Sequence, residues 1–82
     1  MKILYFANIK QKIGISEEDI LINDKISIYE LIEILKKRGL KYQGAFSNTK
    51  NIKCSVNCNF SSFDTIIENK DEIAFFPPVT GG

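Results

Sequence analysis

The segment from Ile26 to Gly39 constrains this chain most, because it carries a complete helix signature. Ser27 and Glu30 stand at capping-box spacing, Ile26 and Leu31 occupy the staple positions, and Ile28, Leu31, Ile32 and Leu35 recur on one face. Lys36, Lys37 and Arg38 follow where cations complement the negative end of the helix dipole, and Gly39 is placed to close the helix in the left-handed conformation. So placed, the basic run reads as a helix end rather than a binding patch. A helix with one apolar stripe must bury it against another layer. The rest of the chain supplies strands for that layer.

Lys2 to Ala7 alternates as a strand with Ile3, Tyr5 and Ala7 facing inward. That leaves Leu4 and Phe6 on an outer face, an unusual place for two large apolar side chains. Asn8 to Ile13 suits a short helical turn ended by Gly14, Asp19 to Ile22 a second strand, and Asn23-Asp24-Lys25 a loop. Leu40 to Asn51 reads as a short helix or irregular loop. Ile52 to Val56 and Phe60 to Phe63 form further strands around an Asn57-Cys58-Asn59 turn, and Asp64 to Ile67 a turn of helix. Asn69-Lys70-Asp71 leads into a last strand, Glu72 to Phe76, which Pro77 and Pro78 stop because neither has an N–H to donate. Two strands, a helix and then more strands predict an α+β chain of the β-grasp, ubiquitin-like kind: a mixed sheet with one main helix packed across it. Residues 1–76 form that domain, and 77–82 a flexible, functional C-terminal tail.

Several function classes fall away on composition. A chain of 82 residues buries only roughly 60–65% of its unfolded surface, which leaves little room for a deep catalytic cleft. Eleven basic and ten acidic residues give a net charge of +1, so there is no electrostatic footprint for nucleic acid or membrane. No apolar run approaches the ~18–20 residues of a membrane span, and Asn8, Lys10, Gln11 and Lys12 interrupt any signal-peptide core. Two cysteines without an export signal point to the reducing cytoplasm. The chain has no histidine, which removes the commonest general base and metal ligand. Cys54 and Cys58 within one strand would lie ~13 Å apart, beyond the roughly 7 Å a disulfide spans, and no further ligands complete a metal site. Cys54 is therefore expected in the core and Cys58 in an exposed turn. Glu17, Glu18 and Asp19 read as solvated turn residues.

The end of the chain carries the chemistry. Phe75-Phe76-Pro77-Pro78-Val79-Thr80-Gly81-Gly82 places aromatics in a strand, prolines as a stiff exit, and then glycines. Glycines without Cβ can thread a narrow channel in a partner, leaving the final carboxylate unhindered for attack on the α-phosphate of ATP. The prolines limit the entropy lost on docking.

Together with the opening Leu4-Tyr5-Phe6-Ala7 and the stretch Val56-Asn57 through Ser62-Phe63-Asp64, the ending Asp71 to Gly82 resembles the small subunit of molybdopterin synthase. Lys70 departs from that family, which usually has glycine in this turn; Asn69 is expected to take the positive φ instead. The resemblance implies a sulfur carrier with no catalytic residue in this chain and no bound cofactor or metal. A ubiquitin-activating-like adenylyltransferase would use ATP-Mg to adenylate Gly82, and a persulfide donor would convert it to a thiocarboxylate. Val79, Thr80, Gly81 and Gly82 would then insert into the large synthase subunit, which supplies the catalytic groups, and deliver sulfur to cyclic pyranopterin monophosphate. A heterotetramer around a large-subunit dimer is implied as well. Strand alternation puts Phe6 and Phe76 on an exposed face, and family similarity adds Phe60, so these three are expected to form the docking patch. A sulfur carrier for thiamine or tRNA thiolation, a ubiquitin-like protein modifier and a purely structural interaction domain stay open as alternatives.

Overall fold

The computed structural model describes residues 1–78. Five strands form one sheet in the order β2-β1-β7-β4-β5: β1 is Lys2–Tyr5, β2 Glu17–Asp19, β4 Lys53–Val56, β5 Asn59–Ser61 and β7 Glu72–Phe76. The pairing of β1 with β7 is parallel and the other three pairings are antiparallel, so the sheet is mixed. A separate ribbon pairs β3, Ile26–Ser27, with β6, Ile66–Ile67. Among the described residues three α-helices, α1 (Ala7–Ile13), α2 (Ile28–Lys36) and α3 (Leu40–Ala45), and a short 3-10 helix, Thr49–Asn51, complete the fold.

The main helix forms as its sequence dictates. The Ser27 hydroxyl accepts from the Glu30 backbone N–H at 3.2 Å, and the Glu30 carboxylate returns the bond to Ser27 N–H at 3.3 Å. Ile28, Leu31, Ile32 and Leu35 are all buried. Each such side chain contributes about 1.5–3 kcal/mol relative to exposure, so this stripe is what fixes α2 on the sheet. Ile3 and Tyr5 from β1, Ile73 and Phe75 from β7, and Cys54 from β4 meet it from the same side of the sheet. Phe46, just after α3, closes the core edge-on against Phe75, with ring centroids 5.1 Å apart.

Several expectations need correcting. α2 ends at Lys36 with Lys37 as its cap, so Gly39 does not close it; with φ +148° it instead precedes α3. Arg38 stays in the turn that closes the helix, its N–H donating to Leu35 C=O at 2.9 Å, but its guanidinium pairs with Glu18 at 2.8 Å. The second strand lies at Glu17–Asp19 rather than Asp19–Ile22, because β1 sets its register: Lys2 faces Asp19, Ile3 faces Glu18 and Leu4 faces Glu17. Glu18 is consequently no solvated turn residue. Its side chain shares the core side of the sheet with Ile3, is half-buried, and accepts from the hydroxyls of Tyr5 at 2.7 Å and Tyr42 at 2.8 Å. Ala7 belongs to α1 and is exposed, with φ +52°, rather than facing inward in β1. Residues 66–67 pair as β6 instead of forming a helical turn, and the strand expected over 60–63 is Asn59–Ser61. Asn69 keeps a negative φ; its side-chain amide instead donates to Ile22 C=O at 2.7 Å and accepts from Ile22 N–H at 2.9 Å.

Candidate functional site

All three helices lie on one side of the sheet, and strand alternation decides what the other side presents. With Ile3, Tyr5, Ile73, Phe75 and Cys54 committed to the core, the pleat turns Leu4, Ala74, Ser55 and Phe60 outward. These four form one row across β1, β7, β4 and β5. A second row holds Phe76 opposite Lys53. Phe6 extends that row beyond β1, its N–H donating to Phe75 C=O at 3.1 Å with extended backbone angles. Among the described residues no helix covers this face.

The predicted patch residues are thus all on the open side. Phe60 is 82% exposed and Phe6 48%, while Phe76 is half-buried. Phe60 and Phe76 meet, with ring centroids 5.7 Å apart and planes tilted by 58°. Phe6 makes no ring contact with either among the described residues.

Sequence reasoning missed the cleft beside these rings. Lys53, Cys54, Phe60, Ser61 and Phe76 line a depression of about 490 Å³. The Cys54 side chain itself faces the core, with its thiol donating to Ser61 C=O at 3.2 Å, and burial pushes that thiol up to about 11. A protonated, buried thiol is a poor nucleophile, so Cys54 packs rather than reacts. Cys58 is exposed in the β4–β5 turn, as expected. Among the described residues no cluster of three or more His, Cys, Asp or Glu side chains could hold a metal ion, and no helix is long and apolar enough to cross a membrane.

Both prolines that follow β7 are half-buried. The predicted sulfur-bearing residue Gly82 and the predicted inserting residues Val79, Thr80 and Gly81 lie outside the described residues.

A model of the ThiS family matches residues 3–82. The molybdopterin synthase sulfur carrier subunit of Haemophilus influenzae is 34% identical over 83 aligned positions, covering 100% of this chain and 99% of that one. Among solved structures, a putative molybdopterin converting factor subunit 1 from Pyrococcus furiosus superposes with a TM-score of 0.77 at 29% identity, covering 95% of each chain. SAMP1 from Haloferax volcanii, a small archaeal modifier protein, superposes with a TM-score of 0.76 at 19% identity over 100% of this chain and 98% of its own, a likeness of fold alone. The ubiquitin-like β-grasp expected from the element order is the fold observed.

Proposed function

The chain belongs to the ThiS family, and on that premise we propose that it is the sulfur carrier subunit of a molybdopterin synthase. The observation that carries this reading is end-to-end similarity to a relative of that name. The sequence Phe75 to Gly82 and the uncovered apolar sheet face support it.

The chemistry divides among partners. The Gly82 carboxylate attacks the α-phosphate of ATP in an activating adenylyltransferase, pyrophosphate leaves with Mg²⁺, and an acyl-adenylate results. The terminal sulfur of a persulfide donor attacks the acyl carbon and AMP leaves; thiol reduction of the resulting acyl disulfide frees the Gly82 thiocarboxylate. The carrier then docks on the large synthase subunit through Phe6, Phe60 and Phe76. Residues Val79 to Gly82 enter that partner's catalytic centre, and sulfur passes to cyclic pyranopterin monophosphate. Two carriers on a large-subunit dimer supply the two sulfurs of the dithiolene. This chain's own part is to carry the reacting carboxylate beyond two prolines and to offer an apolar face to the partner. Activation and transfer require groups it does not carry, and the setting is the reducing cytoplasm, where a thiocarboxylate and a persulfide donor persist.

Reconstitution tests the reading. The chain bearing a thiocarboxylate at Gly82, mixed with a large molybdopterin synthase subunit and the pterin precursor, yields molybdopterin. Failure of that mixture to do so overturns the assignment. Intact-mass spectrometry of the chain isolated with its activating partner shows an oxygen-to-sulfur exchange; ladders of lysine conjugates would mark a protein modifier instead.

A further inference from the structure

The two outer edges of the five-stranded sheet are built differently. At one edge β2 reads Glu17-Glu18-Asp19, and the charges of Glu17 and Asp19 discourage any further strand from pairing there. At the other edge β5 reads Asn59-Phe60-Ser61, and its flanks Asn57, Cys58 and Ser62 are likewise uncharged. β5 is short, three residues, but no lysine, proline or charged side chain stands on this edge strand.

The hairpin fixes what β5 offers. Asn57 and Cys58 have φ of +51° and +71°, so β4 and β5 are joined by a two-residue type I′ turn flanked by the Val56–Asn59 pair. That pair is hydrogen-bonded, and alternation makes Ser55–Phe60 a non-bonded pair. The N–H and C=O of Phe60 therefore point away from β4 to the free edge. The same residue thus offers an open pair of backbone groups at the edge and an exposed ring on the open face. Lys53 and Ser61, which line the 490 Å³ cleft, also line a second depression of about 330 Å³ on the far side of the edge. Lys53 makes no ion pair among the described residues.

We propose that a partner docks here by strand addition: an extended segment of the partner polypeptide pairs its backbone with Phe60, fills the Phe60–Phe76 cleft with one large apolar side chain, and places a carboxylate against Lys53. An extended segment matches the open ladder groups of Phe60, and a carboxylate matches Lys53, the one charged side chain lining the 490 Å³ cleft. This mode rests on the reading that the open face docks the large synthase subunit, and it adds how the contact is made.

Amide exchange of the full chain, free and bound to a large molybdopterin synthase subunit, tests it. The Phe60 amide exchanges rapidly when free and is slowed at least tenfold in the complex, with a scalar coupling across the hydrogen bond to a ¹³C-labelled partner carbonyl. Lys53→Glu weakens binding about tenfold, and Lys53→Gln weakens it less and flattens the salt dependence. A complex that forms while the Phe60 amide exchanges as before overturns strand addition and leaves the docking reading standing. Absence of any complex overturns both. Protection of Phe60 in the free chain that grows with its own concentration makes a second copy the occupant and overturns the proposal.

Discussion

Replacing Glu18 by alanine tests whether one half-buried carboxylate ties the sheet to the helical layer. Its Oε2 accepts from Tyr5 Oη at 2.7 Å and Tyr42 Oη at 2.8 Å, and its Oε1 from Arg38 Nη1 at 2.8 Å. Tyr5 is 1% exposed, so its hydroxyl has little access to water if Glu18 is removed. A buried hydroxyl without a partner costs about 1–3 kcal/mol. The Arg38 pair is partly exposed and adds only about 0.2–1 kcal/mol, and half-buried Tyr42 can turn to solvent. Glu18→Ala should therefore destabilise by about 1–4 kcal/mol. For a domain of this size 1 kcal/mol corresponds to about 6 °C, which predicts a Tm lowered by about 6–24 °C. Urea unfolding followed by circular dichroism gives the free energy directly. Tyr5→Phe alone should cost about 1 kcal/mol, and in the double variant the loss should fall short of additivity by about 1–2 kcal/mol, because the stranded hydroxyl is gone. A Glu18→Ala loss under about 0.5 kcal/mol, or strict additivity, would refute the argument.

Three further outcomes follow from single contacts. Iodoacetamide at mildly alkaline pH should label exposed Cys58 and spare Cys54 until the chain unfolds, since burial holds the Cys54 thiol protonated up to about 11; intact mass reads the difference. Burial and the Glu18 hydrogen bond raise the Tyr5 pKa above that of a free tyrosine. The folded state keeps this proton, so its stabilisation is complete below about pH 10 and is lost as pH rises further; Tyr5→Phe should flatten the alkaline limb of a stability–pH profile. Asn57 holds φ +51° while its amide donates to Asp71 at 3.0 Å and its carbonyl accepts from Glu72 N–H at 2.9 Å. Asn57→Ala should cost about 2–3 kcal/mol in urea unfolding, and Asn57→Gly less because glycine adopts that φ freely.

What the sequence disclosed divides along the range of the interactions. α2 and β7 were legible because their determinants are local: a capping box at Ser27 and Glu30, and Pro77-Pro78 immediately after Phe76. β2 and β6 were not, because pairing decides them. Asp19 to Ile22 has the more apolar composition, but the Ile3–Glu18 register draws the strand toward Glu17, and Ile66–Ile67 becomes a strand only because Ile26–Ser27 lies beside it. Arg38 looked like a helix-end cation since its partner Glu18 is twenty residues away. At the candidate site, alternation put Phe6 and Phe76 outside from the residues alone, and Phe60 came through the family resemblance. The cleft stayed hidden because it depends on β5 folding back beside β4.

The open face also explains why so small a domain tolerates it. Burial is one-sided: Ile3, Tyr5, Ile73 and Phe75 saturate the inner face, while outside Leu4 is half-buried and Ala74 is 8% exposed, sheltered by its sheet neighbours. Stability therefore asks nothing of Phe60 and little of Phe76, and Phe76→Glu should leave the unfolding midpoint nearly unchanged while weakening capture by the large synthase subunit at least tenfold. The same substitution separates the two demands on the sheet. If Phe76→Glu unfolds the chain, the outer face is structural core and its aromatics are not there for a partner. If it folds and still binds at full affinity, the partner contacts another surface and the arm beyond Pro78 is presented without help from the sheet.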